Sequence, residues 1–192
     1  MEFEPTHFIR ILACFMIGAI PFAKVAMWGT GIDITKVGSR NPGFNNVLRV
    51  STKGRAAVAL IGDITKGLFA ILLLARGVPE HIAWIMGIAA VMGHCWSPFC
   101  GWNGGKGVAT TVGVLLVLSP WITLACLPLY VIGRWFVSVL RLQPFHSDIA
   151  QSPAVRNETG VALAGHYAIG ITLACLYLWL TTRLGWPRRQ LR

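Results

Sequence analysis

Residues 56–75 are apolar throughout apart from Asp63, Thr65 and Lys66. Wound as a helix, such a run covers the ~30 Å hydrocarbon core of a bilayer. Comparable runs occupy residues 8–28, 121–140 and 161–182, and shorter ones 82–93 and 107–118. Composition agrees: 55% of the chain is apolar and 12% charged, against the usual ~25% charged in soluble proteins. With a mean hydropathy of +0.62, too little polar surface remains to coat a water-soluble globule. The pattern predicts an all-α, polytopic integral membrane helical bundle of five to seven spans, built as one domain over residues 1–192. The first run is too long, and lacks the small-residue cleavage site, for an ordinary signal peptide.

The charges are lopsided, with 17 Lys and Arg against 7 Asp and Glu, a formal net of +10. They sit mainly between the apolar runs, where positive-inside topology and anionic headgroups place them. No basic stripe interleaved with aromatics is present, which argues against nucleic acid as a partner. Seven acids also leave little for a carboxylate-bound metal pair. The five cysteines (Cys14, Cys95, Cys100, Cys126 and Cys175) are scattered and read as small packing residues rather than a disulfide framework. His94 adds only a third possible zinc ligand to Cys95 and Cys100. No metal and no cofactor is called for.

The segment 30–55 is polar, glycine-rich and basic, with Lys36, Arg40, Arg49, Lys53 and Arg55. The positive-inside rule puts it in the cytoplasm and the N-terminus outside. Counting crossings, the segment 94–106 returns to the cytoplasmic side, so the two glycine-rich loops face one compartment. Six simple crossings would leave Arg183, Arg188, Arg189 and Arg192 outside, against the same rule. Either a partial or re-entrant span lies near 142–157, or one run does not cross.

Both loops carry groups suited to phosphate. In the first, glycines allow close backbone approach to a ligand, Ser39, Asn41, Asn45 and Asn46 add neutral donors, and Arg49 can grip phosphate bidentately. Taken alone, a Gly-Ser-x-Asn is more often an ordinary connecting loop. In the second, Gly104-Gly105-Lys106-Gly107 opens directly into an apolar helix, whose free N–H groups and dipole favour an anion beside Lys106, with Thr110 and Thr111 one turn inward. The spacing is not that of a P-loop. Asp63 and Lys66 share one helix face and read equally as a structural ion pair or as the wall of a site. His94, at the mouth of the second loop, is a candidate base or phosphate ligand.

Three runs, taken in order, resemble one family. Gly38-Ser39-x-Asn41-x-Gly43 through Asn46-Val47-x-Arg49, then Asp63-x-x-Lys66-Gly67, then Gly93-His94 through Gly104-Gly105-Lys106-Gly107-Val108-Ala109-Thr110 are similar to the bacterial acyl-phosphate-dependent glycerol-3-phosphate acyltransferases, the PlsY family. The resemblance spans roughly residues 15–140. It implies an inner-membrane enzyme with cytoplasmic catalytic loops that moves a fatty acyl group from acyl-phosphate to the sn-1 hydroxyl of glycerol-3-phosphate. The products would be lysophosphatidic acid and phosphate, with neither CoA nor acyl carrier protein as donor. Ser39 and Lys106 then become catalytic candidates with His94. Gly38, Asn41, Asn46, Arg49, Lys66, Gly104, Gly105, Gly107 and Thr110 become substrate-binding candidates. The substrates and membrane lipid are the expected partners.

The C-terminal third departs from the family. A His-Arg-x-Asn-Ile type motif is expected after the last span, and only Arg183 could stand for part of it, with His166 or Asn157 as possible replacements. A family Thr in the first loop is here Asn45. Two other readings therefore stand beside acyl transfer: a membrane transporter of anions or phosphate esters, and an inactive paralogue serving as a scaffold.

Overall fold

A computed structural model describes residues 4–121 together with 123, 124, 128 and 132. The run at 121–140 falls almost wholly outside the described residues. The run at 161–182, the segment 142–157 and the C-terminal arginines fall outside them altogether. Among the described residues all regular structure is helical: α1 (Pro5–Ala19), α2 (Phe22–Ala26), α3 (Phe44–Val50), α4 (Lys53–Leu74), α5 (Glu80–Cys95), a 3-10 turn (Pro98–Cys100) and α6 (Val108–Leu118). Three stretches are long and apolar enough to cross a membrane: Pro5–Ala26, Lys53–Leu74 and Glu80–Cys100; α6 is a shorter apolar helix.

Two of the expected spans need correction. The run at 8–28, interrupted in the sequence by Gly18, Pro21 and Lys24, begins earlier, at Pro5, and divides into two helices. Pro21 is the cause, because its ring disfavours helical geometry in the residue before it, and Ile20 leaves the helix at φ −58° and ψ 120°. The short run at 82–93 is in fact a helix from Glu80 to Cys95, and its apolar stretch reaches Cys100. Polar His94 extends rather than ends it because the side chain is buried.

The elements alternate in direction. Near the start of α1, Arg10 donates to the carbonyls of Leu74 (3.4 Å) and Arg76 (3.0 Å), just where α4 ends. Such a cation satisfies carbonyls that a helix C-terminus leaves without partners. At the opposite end Arg55, in the first turn of α4, donates to Ala26 O (2.6 Å) and Trp28 O (3.0 Å) after α2. Lys24 reaches Phe99 O at 3.1 Å. Both glycine-rich loops therefore lie at one end of the bundle, as the crossing count predicts.

Helix contacts are close because small residues line them. On α4 the buried set Ala59, Gly62, Asp63, Lys66, Gly67 and Ala70 recurs every three or four positions, which is one face. Where α1 crosses α5, a Cβ on Gly18 would stand 1.9 Å from Ala90 O, and one on Gly93 would stand 2.0 Å from Phe15 O. Backbones this near gain dispersion contact, the main attraction left between helices surrounded by lipid. The outward faces carry Phe8, Ile9 and Leu12 on α1 and Val58, Ile61, Phe69 and Leu73 on α4, all exposed. In water that surface would be a liability; against acyl chains it costs nothing.

Candidate active site

The break at Pro21 sets the site. A continuous helix would bond the carbonyls of Ala19 and Ile20 internally; here side chains from other elements take them up. Ser97 Oγ donates to Ala19 O at 2.6 Å. Lys66 Nζ donates to Ile20 O at 2.7 Å. Backbone freed within apolar surroundings has to be satisfied this way.

Lys66 makes two more contacts, with Asp63 Oδ1 at 2.8 Å and with His94 Nδ1 at 2.8 Å. Asp63 Oδ1 also lies 3.4 Å from His94 Nδ1. The Phe22 ring stands beside the ammonium, 6.0 Å to its centroid. All three polar side chains are buried, at 2%, 4% and 7% exposure for Asp63, Lys66 and His94, so they form a desolvated cluster and not a surface salt bridge. It joins the α1–α2 break, α4 and the end of α5.

Over this cluster the two loops meet. A recess of about 10 Å³ is lined by Ile20, Pro21, Pro42, Lys66, His94 and Ser97, and by Cys100, Gly104 and Gly105. That is room for roughly one water-sized group. Pro42 belongs to the first loop and the two glycines to the second. Gly104 N–H donates to Cys95 O and Gly105 N–H to His94 O, both at 3.0 Å, folding the second loop back onto the end of α5. Only glycine fits there: a Cβ on Gly105 would stand 2.1 Å from His94 Nε2, and one on Gly104 2.0 Å from His94 O. Gly107 then takes φ 76° and caps α6, whose first N–H groups lack intrahelical acceptors.

This differs from the expected anion cradle. The N–H groups of Gly104 and Gly105 are spent within the loop, so the free donors at this turn are those at the start of α6. Asn46 differs too. It is buried, its Oδ1 accepts from Ser39 N–H (2.9 Å), and its amide donates to Ile34 O and Val37 O (both 3.0 Å). It is the clasp of the first loop, not a free donor. A Cβ on Gly38, which has φ 57°, would stand 2.3 Å from that Oδ1. Thr110 lies fully buried between α6 and Gly67 of α4 and does not line the recess. His94, expected at the loop mouth, lies instead beneath Gly105.

Ser39 and Lys106 are exposed on the two loops, Arg49 is exposed in the last turn of α3, and Asn41 is half-buried beside Pro42. Further along the first loop, Thr35 donates to Asp33 from its hydroxyl (2.6 Å) and its N–H (3.0 Å), and those bonds hold the exposed carboxyl below its ordinary pKa. Ser97 and Pro42 were not singled out in the sequence, and Cys100 was read there only as a packing residue. The signal for Ser97 was faint: a serine before proline, a turn beyond a polar helix end.

Crossing helices, small residues at their contacts and two loops closing over a buried ionic cluster define a polytopic helical membrane protein with a site at one end of its bundle. The chain belongs to the glycerol-3-phosphate acyltransferase family, whose sequence pattern it matches over residues 8–183. It is 37% identical to the glycerol-3-phosphate acyltransferase of Bordetella petrii over 177 residues, 90% of this chain and 84% of that one. With glycerol-3-phosphate acyltransferase 1 of Deinococcus radiodurans it shares 43% over 131 residues, 68% of this chain and 66% of the relative. Its fold is similar to the crystal structure of PlsY, an integral membrane glycerol 3-phosphate acyltransferase, in its glycerol 3-phosphate form. That match has a TM-score of 0.65 at 25% identity, over 92% of this chain and 88% of that one.

Proposed function

We propose that this protein transfers a fatty acyl group from acyl-phosphate to the sn-1 hydroxyl of glycerol-3-phosphate, releasing lysophosphatidic acid and phosphate. The observation that carries the reading is the meeting of Pro42 with Gly104 and Gly105 over the recess lined by Lys66 and His94. The family match supports the acceptor, and the named PlsY relative was crystallised with glycerol 3-phosphate. The acyl-phosphate donor follows from the motif resemblance.

The recess admits one oxygen-sized group, so most of the substrate rests outside it, on the loops. Arg49 and Lys106 supply cationic donors there, Ser39 a hydroxyl, and the start of α6 its free N–H groups. Held beside the acceptor, acyl-phosphate needs little activation, because phosphate is already a good leaving group. The hydroxyl oxygen attacks the acyl carbon, the bond from that carbon to the phosphate oxygen breaks, and the hydroxyl proton passes to the departing phosphate. Donors aimed at the leaving oxygens stabilise the charge growing there. Alignment of the two reactants supplies much of the remaining rate. Gly38, Asn41 and Gly107 shape the loops, Asn46 fastens the first, and Thr110 supports the second from below.

The basic residues Lys24, Lys36, Arg40, Arg49, Lys53, Arg55 and Lys106 all lie at the site end, which supports a cytoplasmic placement of the loops in a bacterial inner membrane, with the N-terminus outside. The test is lysophosphatidate formation by purified protein given palmitoyl-phosphate and labelled glycerol-3-phosphate. We expect product from the parent and loss of at least about 100-fold in Ser39→Ala and Lys106→Ala, the size of effect that removing one stabilising donor has elsewhere. No product from folded parent protein would overturn the reading.

A further inference from the structure

Among the described residues His94 is the one imidazole at the recess, and its surroundings restrict what it can do. An ammonium has three N–H bonds and accepts none. Lys66 hydrogen-bonds to Ile20 O at 2.7 Å and to His94 Nδ1 at 2.8 Å, and its charge is paired with Asp63 Oδ1 at 2.8 Å. Since the ammonium cannot accept, Nδ1 of His94 is the acceptor in its pair with Lys66. Asp63 Oδ1 is the competing partner for a proton on Nδ1, but it lies farther off, at 3.4 Å, and already faces the ammonium.

A neutral imidazole that accepts at Nδ1 carries its proton on Nε2. The Nε2 edge lies against Gly105, and His94 and Gly105 both line the recess. We propose that Lys66 and Asp63 lock His94 as the Nε2–H tautomer, so that at the recess it is a fixed hydrogen-bond donor to a phosphate oxygen and not the general base of the reaction. The lone pair a base would need is held by Lys66 on the far side of the ring. The oxygen-sized recess suits that role, since one oxygen of a phosphate monoester fills it. Gly105 is a glycine for the same reason: any side chain there would cover the donor.

The identity of the phosphate ester rests on the acyl-transfer reading, while the tautomer and its donation to phosphate do not. The experiment therefore has one arm that needs no activity. The full-length protein, labelled with ¹⁵N-histidine and held in lipid nanodiscs, is observed by NMR, with His94→Gln identifying the resonances. We expect a protonated Nε2 and a bare Nδ1, and a shift of the Nε2–H signal on adding inorganic phosphate or glycerol-3-phosphate. A proton on Nδ1, or no response to either anion, would overturn the proposal.

The second arm is kinetic. His94→Gln keeps an N–H donor and His94→Phe keeps bulk alone. A donor to substrate predicts a KM for glycerol-3-phosphate raised about 10- to 100-fold in His94→Phe, from a charge-assisted bond lost, and much of that recovered in His94→Gln. A collapse of kcat shared equally by both variants would mark a base and overturn the proposal. An inactive parent would sink the acyl-transfer reading and leave the spectroscopic arm to decide this one.

Discussion

Asp63 and Lys66 show how one residue's chemistry depends on another's neglect. A lysine within a membrane helix costs several kcal/mol unless it is neutralised and hydrogen-bonded. Here Asp63 neutralises it, and the Ile20 carbonyl, turned out of the helix at Pro21, and a histidine from α5 complete its bonding. Removing the carboxylate leaves a buried cation unpaired. Asp63→Asn is expected to lower stability by about 3–5 kcal/mol, read by thermal unfolding in detergent, whereas a loss under about 1 kcal/mol would mean that the ammonium finds other compensation. The spacing of Asp63 and Lys66 in the sequence already placed them on one face. Their third partner was out of sight, because His94 lies 28 residues from Lys66 and meets it only through packing of α4 on α5. Asn46 was misjudged for a related reason. A polar residue in a glycine-rich loop resembles a ligand donor until the loop's path shows its amide spent on Ile34, Val37 and Ser39.

Among elements, the decisive events are one helix break and one close crossing. Pro21 splits the first span and so makes the acceptors on which Ser97 and Lys66 converge. The proline was plain in the sequence; that its freed carbonyls would organise a site was not, since nothing local says what lies opposite them. The α1–α5 crossing leaves no room for a side chain at Gly18, where even a Cβ would stand 1.9 Å from the Ala90 carbonyl oxygen. Gly18→Leu should force the two helices apart and destabilise the protein by about 1–3 kcal/mol or more, with α5 carrying His94 away from Lys66. Unfolding in detergent reads the first effect and acyl transfer the second. A variant as stable and active as the parent would show that the crossing is looser than described. The extension of α5 through His94 to Cys95 illustrates a general blind spot. Polar residues at the end of an apolar run read as loop, yet they continue the helix when a buried partner awaits them.

At the scale of the whole molecule, alternating helices bring two loops far apart in sequence to the same end, beside most of the described basic residues. That arrangement predicts a labelling pattern. With the native cysteines replaced, a cysteine at Thr35 in intact cells should resist a membrane-impermeant maleimide, and one at Gly77, between α4 and α5, should react with it. The opposite pattern would invert the topology and place the loops outside.

Hydropathy and run length were enough to establish the environment of this protein, because both are sums over neighbouring residues and need no fold to evaluate. The chain also places both loops at one end and, through three ordered motifs, points to the family. Which polar groups are free to act emerged from the packing alone. The amides of Gly104 and Gly105, the side chain of Asn46 and the Nδ1 of His94 all looked available along the chain, and each is consumed by a partner. Hydrogen bonds are short and directional, so whether a donor is free depends on what stands within about 3 Å of it, and that is known only once the helices are packed.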